Sequence, residues 1–316
     1  FKLTENDPEK AHEVFTGLMK FLYDAHLDKT VLCFKSENKR GIEISNAAGF
    51  NKNGKIPPST LKYLGFDRDV VGTVTGERYD GNSKPRIKRF PQTNSMVNWM
   101  GLPGIGAEEV ARIMESYGEH GVPITINISH TPGTSDIFAD FKKSVSLTRN
   151  LHNVDRYEVN ISCPNTDEDI GKYLSRLTKI LDAVYDEIEK GNKKQEVYLK
   201  VSPDLTEKDV EEIASIGGSF RINGYTTTNT TTEHPYKHHT MGKGGASGDA
   251  VYTKSLEVQR MFNDKLRCNT HARIIPCGGI SNKLRLESRL LGNVNEIQIF
   301  TPLIYQGPRL LRELKE

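Results

Sequence analysis

Between Ile42 and the end of the chain, short apolar runs alternate with longer amphipathic segments, and this alternation constrains the fold most. Short runs rich in Ile, Val and aromatic residues predict buried strands, whereas the amphipathic segments predict helices. The eight predicted strands are Ile42–Ala47, Asp69–Thr73, Ile124–Ile128, Tyr157–Ile161, Val197–Val201, Arg221–Thr226, Arg273–Cys277 and Glu296–Phe300. The predicted helices are 57–64, 106–118, 138–151, 170–190, 206–216, 253–265, 283–291 and 308–315.

Eight parallel β-α units close naturally into a (β/α)8 barrel, which is the predicted fold class, an α/β TIM barrel. An open doubly wound sheet is the alternative, and the lack of a GxGxxG motif after the first strand disfavours it. A separate amphipathic helix is predicted at about 8–24, where Pro8 suits the first turn. We therefore predict an N-terminal helical extension, residues 1–40, and a catalytic barrel, residues 41–316.

The charge and cysteine content exclude several classes of protein. Lys plus Arg number 43 and Asp plus Glu 41, so the net charge of +2 gives no general reason to expect a nucleic-acid partner. There is no apolar run long enough for a spanning helix. Cys33, Cys163, Cys268 and Cys277 lack the spacing of a metal site, so reduced thiols and no metal are expected.

Two connections are longer than a barrel requires, residues 74–104 and residues 227–252. Long loops after barrel strands are usually functional lids or disordered tips. Both follow the C-terminal ends of strands, where active sites of this fold are found.

Polar residues recur at the C-terminal ends of the predicted strands, which meet on one face of a barrel. Any one of them has an ordinary explanation as a turn or a strand end, but their shared position predicts a ligand site. They include Asn51, Lys52, Thr73, Thr75, Asn127, Asn160, Cys163, Lys200, Thr227, Thr228, Asn229 and Thr301.

Two glycine motifs narrow the chemistry of the ligand. Gly244–Gly248 and Gly278–Gly279 allow backbone N–H groups to approach an anion closely, so a phosphorylated cofactor is predicted. Lys200 would lie deep in the site and stabilise negative charge on a ring. The alternative is a lysine that pairs with Asp204.

The stretch Tyr157–Thr166 carries the residue best suited to proton transfer. Cys163 stands between Asn160 and Asn165 just after a strand, where a thiol could act as a general base while the amides hold the substrate. The alternative is a buried structural cysteine beside a turn.

The chain closely resembles the flavin-dependent dihydroorotate dehydrogenases over nearly the whole of residues 7–308. The motifs that carry the resemblance are Asp7–His12, Ala47–Gly54, Gly72–Thr75, Gly81–Arg86, Asn98–Gly101, Asn160–Thr166, Lys200–Leu205, Thr228–Thr231, the two glycine motifs and Gln298–Thr301. The resemblance implies a barrel that binds FMN at the strand ends and oxidises dihydroorotate to orotate, a step of de novo pyrimidine biosynthesis.

Matched residue by residue, the resemblance also implies site residues. The FMN site would be lined by Ala48, Gly49, Lys52, Thr73, Asn127, Asn160, Lys200, Thr228, Gly248, Gly279, Phe300 and Thr301. The substrate would be held by Lys52, Asn98, Met100, Gly101, Leu102, Asn160, Asn165, Asn229 and Thr230. Cys163 takes the position of the catalytic base in the family.

The motifs that bear on the electron acceptor are mixed. The N-terminal helix and Gly81–Arg86 look like the membrane-associated class two, which reduces quinone, whereas Cys163 looks like the soluble class one, which reduces fumarate or NAD. Asp167–Glu168–Asp169 and Ser129–His130 also depart from the usual motifs. The helix is an added structural element, so we favour quinone; the alternatives are a class-one acceptor or another flavin-dependent barrel oxidoreductase.

The expected location of the protein follows from which of these two classes it belongs to. A class-two enzyme would lie peripherally on an inner membrane, at the cytoplasmic face in bacteria or in mitochondria in eukaryotes, and contact the bilayer through its N-terminal helix. A class-one enzyme would be cytoplasmic.

Overall fold

The computed structural model describes residues 7–32, 34, 37–162, 170–236, 244–267 and 271–316, with only the backbone of residues 170–172. The strands are β1 Glu43–Asn46, β2 Asp69–Val74, β3 Ile87–Phe90, β4 Ser95–Asn98, β5 Ile124–Ile128, β6 Val154–Asn160, β7 Glu196–Val201, β8 Gly224–Thr227, β9 Gly245–Gly248, β10 Arg273–Pro276 and β11 Glu296–Ile299. The helices are α1 Pro8–Asp24, α2 Asp28–Val31, α3 Pro58–Leu64, α4 Ala107–Glu115, α5 Ile137–Thr148, α6 Ile170–Ile188, α7 Glu207–Ser219, α8 Tyr252–Lys265, α9 Lys283–Glu287, α10 Thr301–Gln306 and α11 Arg309–Lys315.

Eight of these strands form the predicted (β/α)8 barrel. Six pair in parallel in the order β10-β8-β7-β6-β5-β2, and β1 pairs in parallel with β11. Isolated parallel bridges from Ser45 to Arg68 and from Cys277 to Gln298 join the two groups. The ring is therefore closed, and the prediction of a barrel is confirmed. The alternative of an open sheet is wrong.

The barrel strands are buried because helices cover the outside of the ring. All residues of β2 and β5 are buried, as expected for parallel strands between two packed layers. The larger apolar cluster packs α4 to α8 against β2, β5, β6 and β7. A second cluster surrounds β1 and β11. Together they fix the strand ends that carry the polar residues.

Helix α1 lies where the N-terminal helix was predicted. The side chain of Asp7 caps it by accepting hydrogen bonds from the N–H groups of Glu9 and Lys10, at 2.8 and 3.2 Å. Met19 and Leu22 are buried in the same cluster as β1 and α11. The helix therefore packs on the barrel with one face, while the division of the chain at residue 40 stays a prediction.

The two long connections contain a sheet that the sequence analysis did not predict. Strands β3 and β4 form an antiparallel hairpin within 74–104, and β9, from the connection after β8, pairs antiparallel with β4. Ser95 lies opposite Gly248, and Asn98 lies opposite Gly245. These strands are ordered, so the alternative of disordered tips is wrong for them, whereas a lid function stays a prediction; together they form a small sheet beside the barrel mouth.

Several predicted boundaries differ from the observed ones by three residues or more, and two of these differences have a clear local cause. The strand expected from Arg221 begins at Gly224, because Arg221 has a positive φ of 52° and the N–H of Ile222 bonds to the carbonyl of Gly217. The helix expected at 283–291 ends at Glu287, after which the N–H of Arg289 bonds to a carbonyl only three residues back. Within the described residues, no helix is long and apolar enough to span a bilayer.

Candidate active site

A cavity of about 1200 Å³ opens at the C-terminal ends of the barrel strands, between the barrel mouth, the β3-β4-β9 sheet and α1. Such volume suits a cofactor together with a small substrate. The predicted site residues that line it are Ala48, Gly49, Lys52, Thr73, Asn98, Met100, Leu102, Asn160, Lys200, Thr228, Asn229, Thr230, Gly248, Gly279, Phe300 and Thr301.

The remaining predicted residues lie elsewhere. Asn127 is fully buried beneath the cavity floor, and Gly101 lies behind the wall against the side chain of Asn82. Cys163 and Asn165 fall outside the described residues. Within the described ranges, no group of three or more His, Cys, Asp or Glu side chains could hold a metal ion.

Lys200 and Gln298 form the floor of the cavity, and Glu158 contacts both of them from behind the lining. Its Nζ atom lies 3.0 Å from Oε1 of Gln298 and 3.6 Å from Oε1 of Glu158. Burial acts to lower the pKa of Lys200, but the carboxylate of Glu158 outweighs it and the pKa is raised above its ordinary value. A fixed positive charge therefore lies at the bottom of the site.

The alternative pairing of Lys200 with Asp204 is wrong. Asp204 instead accepts hydrogen bonds from Thr231 and from the backbone and hydroxyl of Thr232, and pairs with Lys254 at 3.2 Å. These contacts of Asp204 hold the start of the connection after β8. Lys200 does not pair with Asp204, and its ammonium lies at the cavity.

Glu158 is the functional residue that the sequence analysis missed. It accepts hydrogen bonds from Nδ2 of Asn127, Oγ1 of Thr226 and Nε2 of Gln298, at 2.6, 2.5 and 2.8 Å. Its signal in the sequence was an acidic residue between Tyr157 and Val159 in a predicted buried strand, because such charges are rarely buried without a partner. These bonds fix Asn127, whose buried Oδ1 has no hydrogen-bond partner among the described residues.

Two asparagine amides are held together at the mouth of the cavity. Nδ2 of Asn160 lies 3.3 Å from Oγ1 of Thr73, and Nδ2 of Asn229 lies 3.3 Å from Oδ1 of Asn160 and 3.1 Å from the carbonyl of Ser162. Oγ1 of Thr230 is buried without a hydrogen-bond partner among the described residues. These groups come from β2, β6 and the connection after β8, and they can bind a planar ring that carries N–H and C=O groups.

Three glycines form a narrow cradle on one side of the cavity. A Cβ atom on Gly248, at φ +79°, would lie 2.2 Å from the carbonyl oxygen of Asn94, and one on Gly279, at φ +67°, would lie 2.7 Å from the carbonyl oxygen of Gly248. Gly278 also has a positive φ, of 125°. Only glycine fits such close backbone approach, and a backbone-lined cradle of this kind suits a phosphate group.

The outer part of the cavity, toward α1, is aromatic. The rings of His12, Phe50 and Phe300 contact one another, with centroids 5.6 to 6.2 Å apart. Burial lowers the pKa of His12, so this ring is neutral at pH 7. At its edge, Nη2 of Arg86 lies 2.7 Å from Oε1 of Glu9. This part of the cavity, which we call the outer chamber, suits an apolar ligand with a polar head.

Comparisons with known proteins agree on one family. The family model for dihydroorotate dehydrogenase matches residues 33–316. The protein named dihydroorotate dehydrogenase (quinone) from Rhizobium etli is 31% identical, over 96% of this chain and 86% of that protein. The protein of the same name from Acinetobacter baumannii strain SDF is 31% identical, over 98% of this chain and 95% of its own.

The solved structures share the fold. The crystal structure of the Eimeria tenella DHODH in complex with ferulenol covers 98% of this chain and 90% of that chain, with a TM-score of 0.83 and 24% identity. The ligand-free structure from the same organism has a TM-score of 0.80.

Proposed function

This chain belongs to the dihydroorotate dehydrogenase family, and on that premise we propose that it oxidises dihydroorotate to orotate in de novo pyrimidine biosynthesis, with FMN as cofactor and a quinone as electron acceptor. The observation that carries the proposal is the convergence of three features in one cavity. These are the cationic Lys200 on the floor, the paired amides of Asn160 and Asn229, and the glycine cradle.

Two parts of the cavity support FMN as the cofactor. The cradle of Gly248 and Gly279, beside Thr301, would take the phosphate, because backbone N–H groups and a hydroxyl are good donors to an anion. Lys200 would stabilise negative charge on the ring. The remaining residues of the proposed FMN site are Ala48, Gly49, Lys52, Thr73, Asn127, Asn160, Thr228 and Phe300. FMN held there would supply the hydride acceptor for the oxidation and the means of transferring electrons to the final acceptor.

The substrate site would lie above that floor. The amides of Asn160 and Asn229 would bind the N–H and C=O groups of dihydroorotate, and Lys52 would bind its carboxylate. Asn98, Met100, Gly101, Leu102, Asn165 and Thr230 would complete this site. Sγ of Cys163 would take the proton from the carbon next to a ring carbonyl while the neighbouring carbon loses its hydride. The roles of Cys163 and Asn165 rest on the resemblance of their motif.

The outer chamber supports a quinone as acceptor. It connects to the rest of the cavity past Phe50 and Phe300, and its neutral His12 and the Arg86–Glu9 pair offer polar contacts to a quinone head. The relatives from Rhizobium etli and Acinetobacter baumannii are both named dihydroorotate dehydrogenase (quinone), which also supports a quinone as acceptor. A class-one acceptor is the second candidate, because the motif contains Cys163 where class two ordinarily has serine.

An apolar surface supports peripheral membrane contact. The side chains of Val14, Leu18 and Phe21 on α1 are exposed, as are those of Leu27 and Val31 at α2. Exposed apolar groups on adjacent helices are typical of elements that rest in a membrane interface. We propose that this surface lies on an inner membrane and that quinone enters the outer chamber from there.

One experiment tests the reaction and its acceptor in turn. The purified protein should absorb as a flavoprotein, and dihydroorotate should bleach it without oxygen. A ubiquinone analogue should then restore the colour, whereas fumarate and NAD should not. A protein that binds no flavin, or whose flavin dihydroorotate leaves oxidised, would refute the proposed reaction. Rapid reoxidation by fumarate with none by quinone would refute the acceptor alone.

A further inference from the structure

Arg289 lies behind the glycine cradle with a side chain that is 0% exposed. Its guanidinium donates to the carbonyl of Gly278 at 2.8 Å, to Oγ of Ser255 at 2.8 Å, to Oε1 of Gln259 at 3.1 Å and to the carbonyl of Tyr252 at 3.3 Å. Every one of these acceptors is neutral. The hydrogen-bond network therefore orients the guanidinium without balancing its charge.

No carboxylate among the described residues pairs with Arg289. Burial lowers the pKa of Arg289 to about 10; the side chains of Tyr252 and Cys277 oppose this and the cations of Arg285 and Arg260 add to it, so the guanidinium still carries its proton at pH 7. A buried cation without a counter-ion is unfavourable in a folded protein. The surroundings of Arg289 thus lack one negative charge.

Arg285 offers a direct comparison in the same place. Both guanidiniums lie over the ring of Tyr252, at 4.5 Å for Arg285 and 5.2 Å for Arg289. Arg285 likewise donates to a glycine carbonyl, that of Gly279, at 3.0 Å. It differs in forming an ion pair with Asp249. Of these two cations, only Arg289 remains uncompensated.

The two carbonyl contacts also set the direction of the next two N–H groups. In a trans peptide the C=O and the following N–H point to opposite sides. Because the arginines hold the carbonyls of Gly278 and Gly279 from the side of Tyr252, the N–H groups of Gly279 and Ile280 point away from it. No described residue accepts a hydrogen bond from either N–H, and both residues line the cavity.

We propose that Arg289 is a positioning residue and the buried counter-charge for the phosphate of FMN. It holds the Gly278 carbonyl, so that the N–H of Gly279 faces the phosphate, and its uncompensated charge balances the phosphate dianion through the loop. This inference rests on the proposed function, because it takes FMN as the ligand. Arg289 would add a full positive charge, which a cradle of backbone N–H groups lacks.

The test compares two flavins that differ only in the phosphate. The affinities of the apoprotein for FMN and for riboflavin are measured by quenching of flavin fluorescence, in the wild type and in Arg289→Gln. We expect the preference for FMN over riboflavin to fall by about tenfold or more in Arg289→Gln, since the positive charge behind the cradle, which acts only on the flavin that carries a phosphate, is lost. Arg289→Lys keeps the charge and should keep most of the preference. Lys208→Gln, on the exposed face of α7, makes the same change in net charge and should keep all of it.

The outcomes separate this inference from the proposed function. Loss of affinity for both flavins alike would mean that Arg289 only supports the fold, and an unchanged preference would mean that it does not act on the phosphate; either overturns the inference. A wild type that binds no FMN overturns the proposed function as well. If Arg289→Gln does not fold, the wild type should still bind FMN about tenfold more tightly than riboflavin 5′-sulfate, a monoanion. Equal affinities would overturn the counter-charge.

Discussion

Replacing Glu158 by Gln should make the charge of Lys200 depend on pH within the working range of the enzyme. The two charged atoms are 3.6 Å apart and both side chains are buried. At an effective dielectric constant of about 20, this separation corresponds to an attraction of about 4 to 5 kcal/mol. Gln keeps the size of the side chain but only one acceptor oxygen, so it can accept from Asn127 or from Thr226 and Gln298 but not from both sides; the variant loses this attraction together with one of these contacts.

The direction of the effect follows from the two influences on Lys200. In the wild type the pKa is raised, because Glu158 outweighs burial, so the ammonium keeps its charge through neutral pH and loses it only as the pH rises through that raised value. In Glu158→Gln, burial acts without the carboxylate and depresses the pKa. The charge should therefore be lost at a lower pH than in the wild type.

The assay is the rate of flavin reduction by dihydroorotate, followed by stopped-flow absorbance without oxygen between about pH 6 and pH 10. We expect the rate in Glu158→Gln to fall with rising pH by about 100-fold, the effect of removing one charge-stabilising group from an active site. The wild type should show no such fall until a higher pH. Glu233→Gln removes an exposed carboxylate that pairs with Lys254 and should behave as the wild type. A profile of Glu158→Gln that overlays that of the wild type, at equal flavin content, would refute the assigned role of this pair.

Three further predictions concern the thiol of Cys163, the glycine cradle and the apolar surface of α1. Cys163→Ala should keep bound flavin, measured by absorbance, but lose most flavin reduction by dihydroorotate, and unchanged reduction kinetics would remove the thiol from the mechanism. Gly248→Ala should lower both the affinity for FMN and the melting temperature, because the added Cβ meets a backbone carbonyl. Gly118 also has a positive φ, but a Cβ there would meet no atom within 4 Å. Gly118→Ala should therefore lower the melting temperature only modestly and leave the affinity for FMN intact. Phe21→Ser, on the apolar surface of α1, should weaken sedimentation with anionic lipid vesicles without slowing flavin reduction, and equal loss in Leu284→Ser, an exposed leucine on α9, would argue against a specific membrane face.

The barrel was predictable because its strands are short, buried and regularly spaced. Periodicity alone placed strands at β2, β5 and β10 within a residue of their observed bounds. It failed at Arg221, where a positive φ delays β8, since a polar residue in that conformation looks no different in sequence from one in a strand. Boundaries that depend on one backbone angle are thus beyond pattern analysis.

Site residues that lie at strand ends could be predicted from the sequence, whereas contacts between residues far apart in the sequence could not. Asn160 and Lys200 stand in recognisable motifs, whereas the pairing of Glu158 with Lys200 joins neighbouring strands and could be found only once their register was known. The contact of Arg289 with the Gly278 carbonyl is local in sequence, but nothing in the sequence says that no carboxylate is near. Missing partners are visible only in three dimensions.

The small sheet at the barrel mouth joins the two long connections, residues 74–104 and 227–252, into one structural unit. Strand β4 ends at Asn98, a proposed substrate residue, and its other end is paired with Gly248 of the proposed phosphate cradle. A residue inserted into either loop would shift this register and move both subsites together. Anyone who wishes to transplant the specificity of this enzyme into another barrel must therefore exchange residues 74–104 and 227–252 as a set, because neither loop is a complete module without the other.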